Sequence, residues 1–299
     1  MPHILITNDD GYQSPALRAL AQALLAVGRV TVFAPDHNWS AAGHTKTMHK
    51  PLRVSQTVMD GGIPLYITTG TPSDCVGMAL LGIVAERPDI VISGINHGSN
   101  MGHDITYSGT VAGAMEAAVW GIPAIAASQE LLGADDAASA AAAAALDAAV
   151  SAGAAPDALD ADAAEDVEAA LAVSYPDDTA LAARTAYAAG VVADLARKVL
   201  ERGLPPGVFL NVNFPAVPPD QVQGIQITGL GRRVYRDVLI KRLDPRGRPY
   251  YWIGGDPPAG EPEAGTDIGA LAHGFVSVTP LCMDMTDRTQ MEEMVHWRL

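Results

Sequence analysis

An apolar run that stops on two adjacent carboxylates limits most strongly how this chain folds: Ile4-Leu5-Ile6-Thr7 leads straight into Asn8-Asp9-Asp10-Gly11. The run is too short for a helix and reads as the first, central strand of an α/β sheet. Leu17, Leu20 and Leu24 follow at helical spacing up to Gly28, and Arg29-Val30-Thr31-Val32-Phe33-Ala34 reads as a second strand, so the segment is a strand-helix-strand unit. Ser14 is placed to cap that helix, and Pro15 suits its first position. Ligands of open α/β sheets bind at the carboxyl ends of the strands, which is where Asp9 and Asp10 fall. Two neighbouring carboxylates repel each other unless a cation or a shared proton offsets the charge, and a hard divalent metal with oxygen ligands is the simplest remedy. A solvated turn in which Asn and Asp merely suit the backbone is the competing reading. The rest of the chain has to decide between them.

Composition narrows the partners. With 299 residues the chain suffices for one large α/β domain, or one domain with an appendage. A formal net charge of -15 argues against a nucleic-acid polymer, because such affinities rest on Lys and Arg against phosphates. A small anion stays compatible with that charge if a metal reverses the sign locally. Cys75 and Cys282 lie far apart and form no ligand-spaced cluster, so a reduced, cytoplasmic setting is expected rather than a disulfide framework. Residues 1–10 carry no basic region, and the longest apolar tract, Ala137 to Ala145, is mostly alanine. Neither a signal peptide nor a membrane span is expected.

Taken in order, the chain offers further polar groups at strand ends. The loop Ala34 to His44 lies at the end of a strand next to the first, with Ser40 and His44 its chemically useful members. Met59-Asp60-Gly61-Gly62 marks a hairpin between Leu52-Arg53-Val54 and Leu65-Tyr66-Ile67. Thr71, Pro72 and Asp74 open a helix as cap, first position and first turn, and Asp74 serves that terminus. Asp89 to Asn96 is another short strand, and a glycine-punctuated loop from His97 to Asp104 follows it. At Tyr107-Ser108-Gly109-Thr110 a helix begins; Ser108 and Thr110, with the free amides there, make either a phosphate cradle or an ordinary N-cap. Residues 131 to about 175 are dominated by Ala and Asp and read as surface helices without a site. A better-patterned helix begins near Thr179 and stops at Gly203, and Val208 to Asn213 is a strand. Beyond Pro215 the alternating, turn-rich pattern predicts antiparallel ribbons and a projecting arm through Phe275-Val276-Ser277-Val278-Thr279-Pro280.

As an ordered set these motifs resemble the SurE family of stationary-phase survival proteins, metal-dependent 5′(3′)-nucleotidases. The matching stretches are Thr7 to Gly11, Ser40 to His44, Gly70 to Cys75, Ser93 to Asn96 with Gly98 to Asn100, Tyr107 to Val111, and Val276 to Leu281. They cover about residues 1–130 and 205–285. The resemblance implies a Rossmann-like three-layer α/β core over 1–215, interrupted by the Ala/Asp-rich insertion at 131–175. It also implies that residues 216–299 form a β-hairpin and arm, with strand 274–280 exchanged between subunits of a homodimer or homotetramer. One divalent metal per subunit, Mg or Mn, is expected on Asp9, Asp10, Ser40 and Asn96, and phosphate on Asn96, Ser108, Gly109 and Thr110. Asp9 and Asp10 are the expected catalytic pair, with His44 or His103 candidates to protonate the leaving oxygen. The implied substrate is a nucleoside monophosphate, and short polyphosphate is a further one.

Two rival phosphotransfer readings fail on position. A haloacid-dehalogenase-type phosphatase needs its nucleophilic Asp two residues before the second acid, where this chain has Asn8. A receiver domain needs a phospho-accepting Asp at the end of another strand, whereas Asp36 and Asp104 lie in loops. The remaining alternative is a non-catalytic nucleotide-binding regulator, whose mark would be loss of a metal ligand. Asp9, Asp10, Ser40 and Asn96 are all present.

Overall fold

A computed structural model describes residues 1–40, 42–130 and 179–297, the side chains of 234–238 and 253–259 excepted. The expected Ala/Asp-rich insertion lies outside the described residues. Five short apolar runs become parallel strands of a nine-stranded sheet: β1 (His3–Thr7), β2 (Arg29–Pro35), β4 (Ile63–Thr68), β5 (Ile90–His97) and β6 (Ala124–Gln129). β3 (Val54–Met59) adds the antiparallel edge through the expected hairpin, and β7 (Val208–Phe214) extends the parallel stack beyond β6. The strand order is β3-β4-β2-β1-β5-β6-β7-β11-β8, with β8 (Ile225–Ile227) and β11 (Val276–Cys282) defined below. β1 therefore sits between β2 and β5, as expected of the central strand.

Strand alternation builds the two cores. In β1, Ile4 and Ile6 enter one hydrophobic cluster and Leu5 the other; in β5, Ile90 and Ile92 divide from Val91 in the same way. Every one of these side chains is fully buried, which is why both runs lack the polar residues of a half-exposed strand. One face is covered by α1 (Pro15–Leu24) and α4 (Thr179–Arg202), the other by α2 (Pro72–Met78) and α3 (Gly109–Val119). The result is the three-layer α/β architecture, with the carboxyl ends of β1, β2 and β5 opening on one side.

Of three local expectations, one holds and two change. Ser14 occupies the N-cap of α1, but its hydroxyl accepts no hydrogen bond from the helix. Thr71 does cap α2, in a reciprocal capping box with Asp74. β11 is not a projecting arm within this chain: it lies between β7, antiparallel, and β8, parallel, with Val276 and Val278 buried, so the main sheet runs past residue 215. What stands apart is the ribbon of β9 (Arg233–Leu243) and β10 (Pro249–Gly260), which forms its own two-stranded sheet. α5 (Asp267–Ala272) leads from it into β11, and α6 (Arg288–Met294) follows on the surface.

Candidate active site

Asp9 and Asp10 leave the end of β1 together, and the chain turns at once because Gly11 adopts φ +95, a conformation only glycine takes without strain. Asn8 Nδ2 donates to the Gly11 carbonyl at 3.0 Å and closes this turn. Asp9 is almost fully buried and aimed at the start of α3. Its Oδ2 accepts the Thr110 N–H at 3.1 Å, and its Oδ1 accepts a short hydrogen bond from Thr110 Oγ1. Gly109 is glycine for a steric reason: a Cβ there would lie 2.8 Å from both Cβ and Oδ2 of Asp9. Burial, and after it the charge of Asp10, pushes the Asp9 carboxyl up to about 6, with the Thr110 hydrogen bonds acting in the opposite direction.

Asp10 faces β5. Its Oδ2 lies 3.6 Å from His97 Nδ1 and accepts no hydrogen bond among the described residues. His97 directly follows Asn96, whose Nδ2 donates to the Gly98 carbonyl at 2.7 Å and so turns the amide oxygen the other way. A register irregularity between Ser93 and Asn96 aims this strand end, and Gly94 permits it: φ is +133 and a Cβ would sit 2.3 Å from the Ala127 carbonyl oxygen. From the other side, Trp39 N–H donates to the Asp9 carbonyl at 2.8 Å, which brings the loop after β2 against the acid pair. Ser40 is the next residue; it is exposed, and its hydroxyl donates to Asn38 Oδ1 at 2.6 Å.

These residues suit a divalent cation. The donors are all oxygens, two of them carboxylates, as a hard cation requires. Among the described residues, Asp10 Oδ2 and Asn8 Oδ1 are buried without a hydrogen-bond donor, and buried acceptors normally have one. A cation beside the pair would supply what both lack and would reverse the rise at Asp9.

Of the expected phosphate residues, Ser108 caps α3 by accepting Val111 N–H at 3.0 Å, and Thr110 is committed to Asp9. Gly109 keeps an N–H that helix geometry leaves without an intrahelical acceptor. Neither candidate histidine has a described hydrogen bond to the acid pair. His103 is exposed on a 3-10 turn, Gly102–Thr106. His44 Nε2 bonds Glu116 Oε2 at 2.9 Å, on α3 seven residues beyond Gly109, which is roughly 10 Å along the helix axis.

Sequence reading passed over Glu116, His97 and a buried amide cluster. Asn100 N–H donates to Asn213 Oδ1 at 2.8 Å, and the Asn100 carbonyl accepts from Asn211 Nδ2 at 2.9 Å and Asn213 Nδ2 at 3.0 Å. These bonds fasten the loop after β5 to β7. The signal for them was the pair of Asn at alternate positions of a buried strand, where an amide needs a partner.

Comparison with known proteins identifies the family. The family model described as survival protein SurE matches residues 4–188 and 148–237. A protein of Chloroflexus aggregans named 5′-nucleotidase SurE is 44% identical over 295 residues, 99% of this chain and 98% of that protein. One from Thermus thermophilus, named 5′-nucleotidase SurE 1, is 43% identical over 295 residues, covering 97% of this chain and 96% of that protein. The crystal structure of the SurE protein from Aquifex aeolicus superposes with a TM-score of 0.71 at 35% identity, covering 100% of both chains. By fold and by sequence along nearly its whole length, the chain belongs to the SurE family.

Proposed function

We propose that the chain is a metal-dependent phosphomonoester hydrolase, a 5′-nucleotidase that releases phosphate from nucleoside monophosphates and also acts on 3′-monophosphates. The observation that carries this is the adjacent carboxylate pair at the end of β1, one member gripped by the start of α3 and the other with a buried oxygen that accepts no hydrogen bond among the described residues. Asp9, Asp10, Ser40 and Asn96 hold one Mg or Mn ion per subunit. That ion, when bound, supplies Lewis-acid polarisation of a phosphate oxygen and acidifies the attacking water.

The protein's own groups do the rest. Gly109 N–H and the positive end of α3 receive a phosphate oxygen, Asn96 and Ser108 are the further phosphate contacts of this reading, and Thr110 acts chiefly by fixing Asp9. The acid pair accepts the proton of the attacking water. A regulator that had lost turnover would lack one of the four cation ligands, and nothing favours that reading.

The assembly we propose is a homodimer or homotetramer, joined through the β9–β10 ribbon and the C-terminal region with exchange of strand 274–280. Leu239, Leu243, Tyr251, Trp252, Met285 and Trp297 are exposed there, more apolar surface than a solitary subunit usually leaves in water. A cytoplasmic setting accords with two free cysteines, and no helix among the described residues is long and apolar enough to cross a membrane. The test is phosphate release from a panel of nucleoside 5′- and 3′-monophosphates by chelator-stripped protein, with and without Mn or Mg. Metal-restored release is expected. Folded protein that binds nucleotide and releases no phosphate with any metal would overturn the proposal.

A further inference from the structure

We infer that Glu116 is a positioning residue: through His44 and Lys46 it fixes the loop that carries Ser40 over the acid pair, and thereby sets the affinity for the divalent cation. This rests on the reading of Asp9, Asp10 and Ser40 as cation ligands.

Glu116 is a fully buried carboxylate two turns into α3, too far along the helix to touch cation or phosphate. Burying a charge is unfavourable unless it is paired and hydrogen-bonded, so a carboxylate here needs a reason. It collects three donors: Trp120 Nε1 at 2.7 Å and Lys46 Nζ at 2.7 Å on Oε1, and His44 Nε2 at 2.9 Å on Oε2. Trp120 belongs to the same helical segment, whereas His44 and Lys46 come from the loop after β2. That strip alternates. His44 and Lys46 turn to Glu116, while the Thr45 carbonyl accepts Thr71 Oγ1 at 2.8 Å and Thr47 donates to Asp74 Oδ1 at 3.0 Å and Oδ2 at 2.7 Å.

Gly43 N–H adds a bond to the Tyr107 carbonyl at 2.9 Å, immediately before the start of α3. Ser40 thus lies between two fixed points, Trp39 on the Asp9 carbonyl and the strip 43–47 on α2 and α3. The start of α3 holds Asp9, and Glu116 further along the same helix holds the segment leading to Ser40. One rigid element therefore sets the spacing of ligands that come from two different strand ends. Groups that orient metal ligands without touching the metal change metal affinity by roughly 10- to 100-fold when removed.

The experiment is direct Mn2+ titration of the chelator-stripped full chain, reading free Mn2+ by electron paramagnetic resonance. The variants are Glu116→Gln, Lys46→Met and Trp120→Phe, with folding checked by circular dichroism. Glu116→Gln and Lys46→Met should raise the Mn2+ Kd about tenfold or more, with kcat at saturating Mn2+ falling less than the Kd rises. Trp120→Phe removes a donor from the same carboxylate without releasing the loop, and its Kd should stay within about twofold of wild type. Lys46 is half-exposed, so its variant carries the test if Glu116→Gln does not fold. An unchanged Kd in Lys46→Met, or a rise in Trp120→Phe equal to that in Lys46→Met, would overturn the inference. Failure of the wild type to bind Mn2+ would instead refute the cation site itself.

Discussion

Asp9→Asn should make the metal-free protein more stable at neutral pH while abolishing turnover. Asp9 is 4% exposed, so solvent does little to screen its charge. Its carboxyl stands at about 6 against a reference of 3.8. A difference of about two units is worth ~3 kcal/mol, the cost of keeping Asp9 ionised in the folded, metal-free chain. Because the folded value lies above the unfolded one, the proton stabilises the native state: the stability is fully present below pH 3.8 and is lost as pH rises through about 6. Asparagine removes the charge but can accept only one of the two Thr110 hydrogen bonds, which gives back ~1 kcal/mol. The net gain at pH 7.5 is ~1–2 kcal/mol, a rise in Tm of roughly 2–4 °C for a chain of this size. Thermal and urea unfolding of chelated wild type and Asp9→Asn at pH 7.5 and pH 4 measure it. The gain should vanish or reverse at pH 4, and added Mn or Mg should stabilise wild type but not the variant. A pH-independent difference, or a less stable variant at pH 7.5, would refute the claim that the acid pair stores electrostatic strain.

Gly109→Ala should improve the helix by intrinsic propensity, yet its Cβ would press on Asp9 at 2.8 Å; turnover should fall at least about tenfold with circular dichroism unchanged. Glu116 has the opposite linkage to Asp9: burial raises its carboxyl, but the donors from His44, Lys46 and Trp120 outweigh that and hold it at about 2. Its contribution is present above pH 4.5 and lost as pH falls toward 2, so the destabilisation of Glu116→Gln in urea, on the order of 2 kcal/mol at pH 7 once the exposure of Lys46 is allowed for, should shrink toward pH 3. Replacing Leu239 and Trp252 together with Glu should shift the mass measured by light scattering toward monomer, and an unchanged mass would move the interface off the ribbon.

The central sheet was legible because both its faces are buried. Runs such as Ile4 to Thr7 and Ile90 to Ser93 must be apolar on both sides, and the first polar residues after them mark the strand ends where ligands bind. β11 reads as a projecting arm for the complementary reason, while within this chain it packs between β7 and β8. Val276-Ser277-Val278-Thr279 alternates like a half-exposed ribbon, but its polar face is buried too: Thr228 Oγ1 lies 2.7 Å from both Ser277 Oγ and Thr279 Oγ1. Alternation reports polarity, not solvent, and the hydroxyl that satisfies this face comes from a residue about fifty positions earlier in the chain.

The same distinction separates what was readable in the site from what was not. Asp9 and Asp10 announce themselves because two adjacent acids demand compensation that no neighbour in sequence supplies. Thr110 looks like a phosphate ligand because a hydroxyl at a helix start faces outward in isolation; here it is turned onto Asp9 across 101 residues of sequence. Glu116 is the extreme case, a lone acid in an alanine-rich helix that carries no signal in sequence, because its partners His44 and Lys46 arrive from the loop after β2. Residues that would touch the cation are visible as local chemical problems. Those that hold them are visible only as solutions to each other's burial, and the three-layer fold is what brings such pairs together.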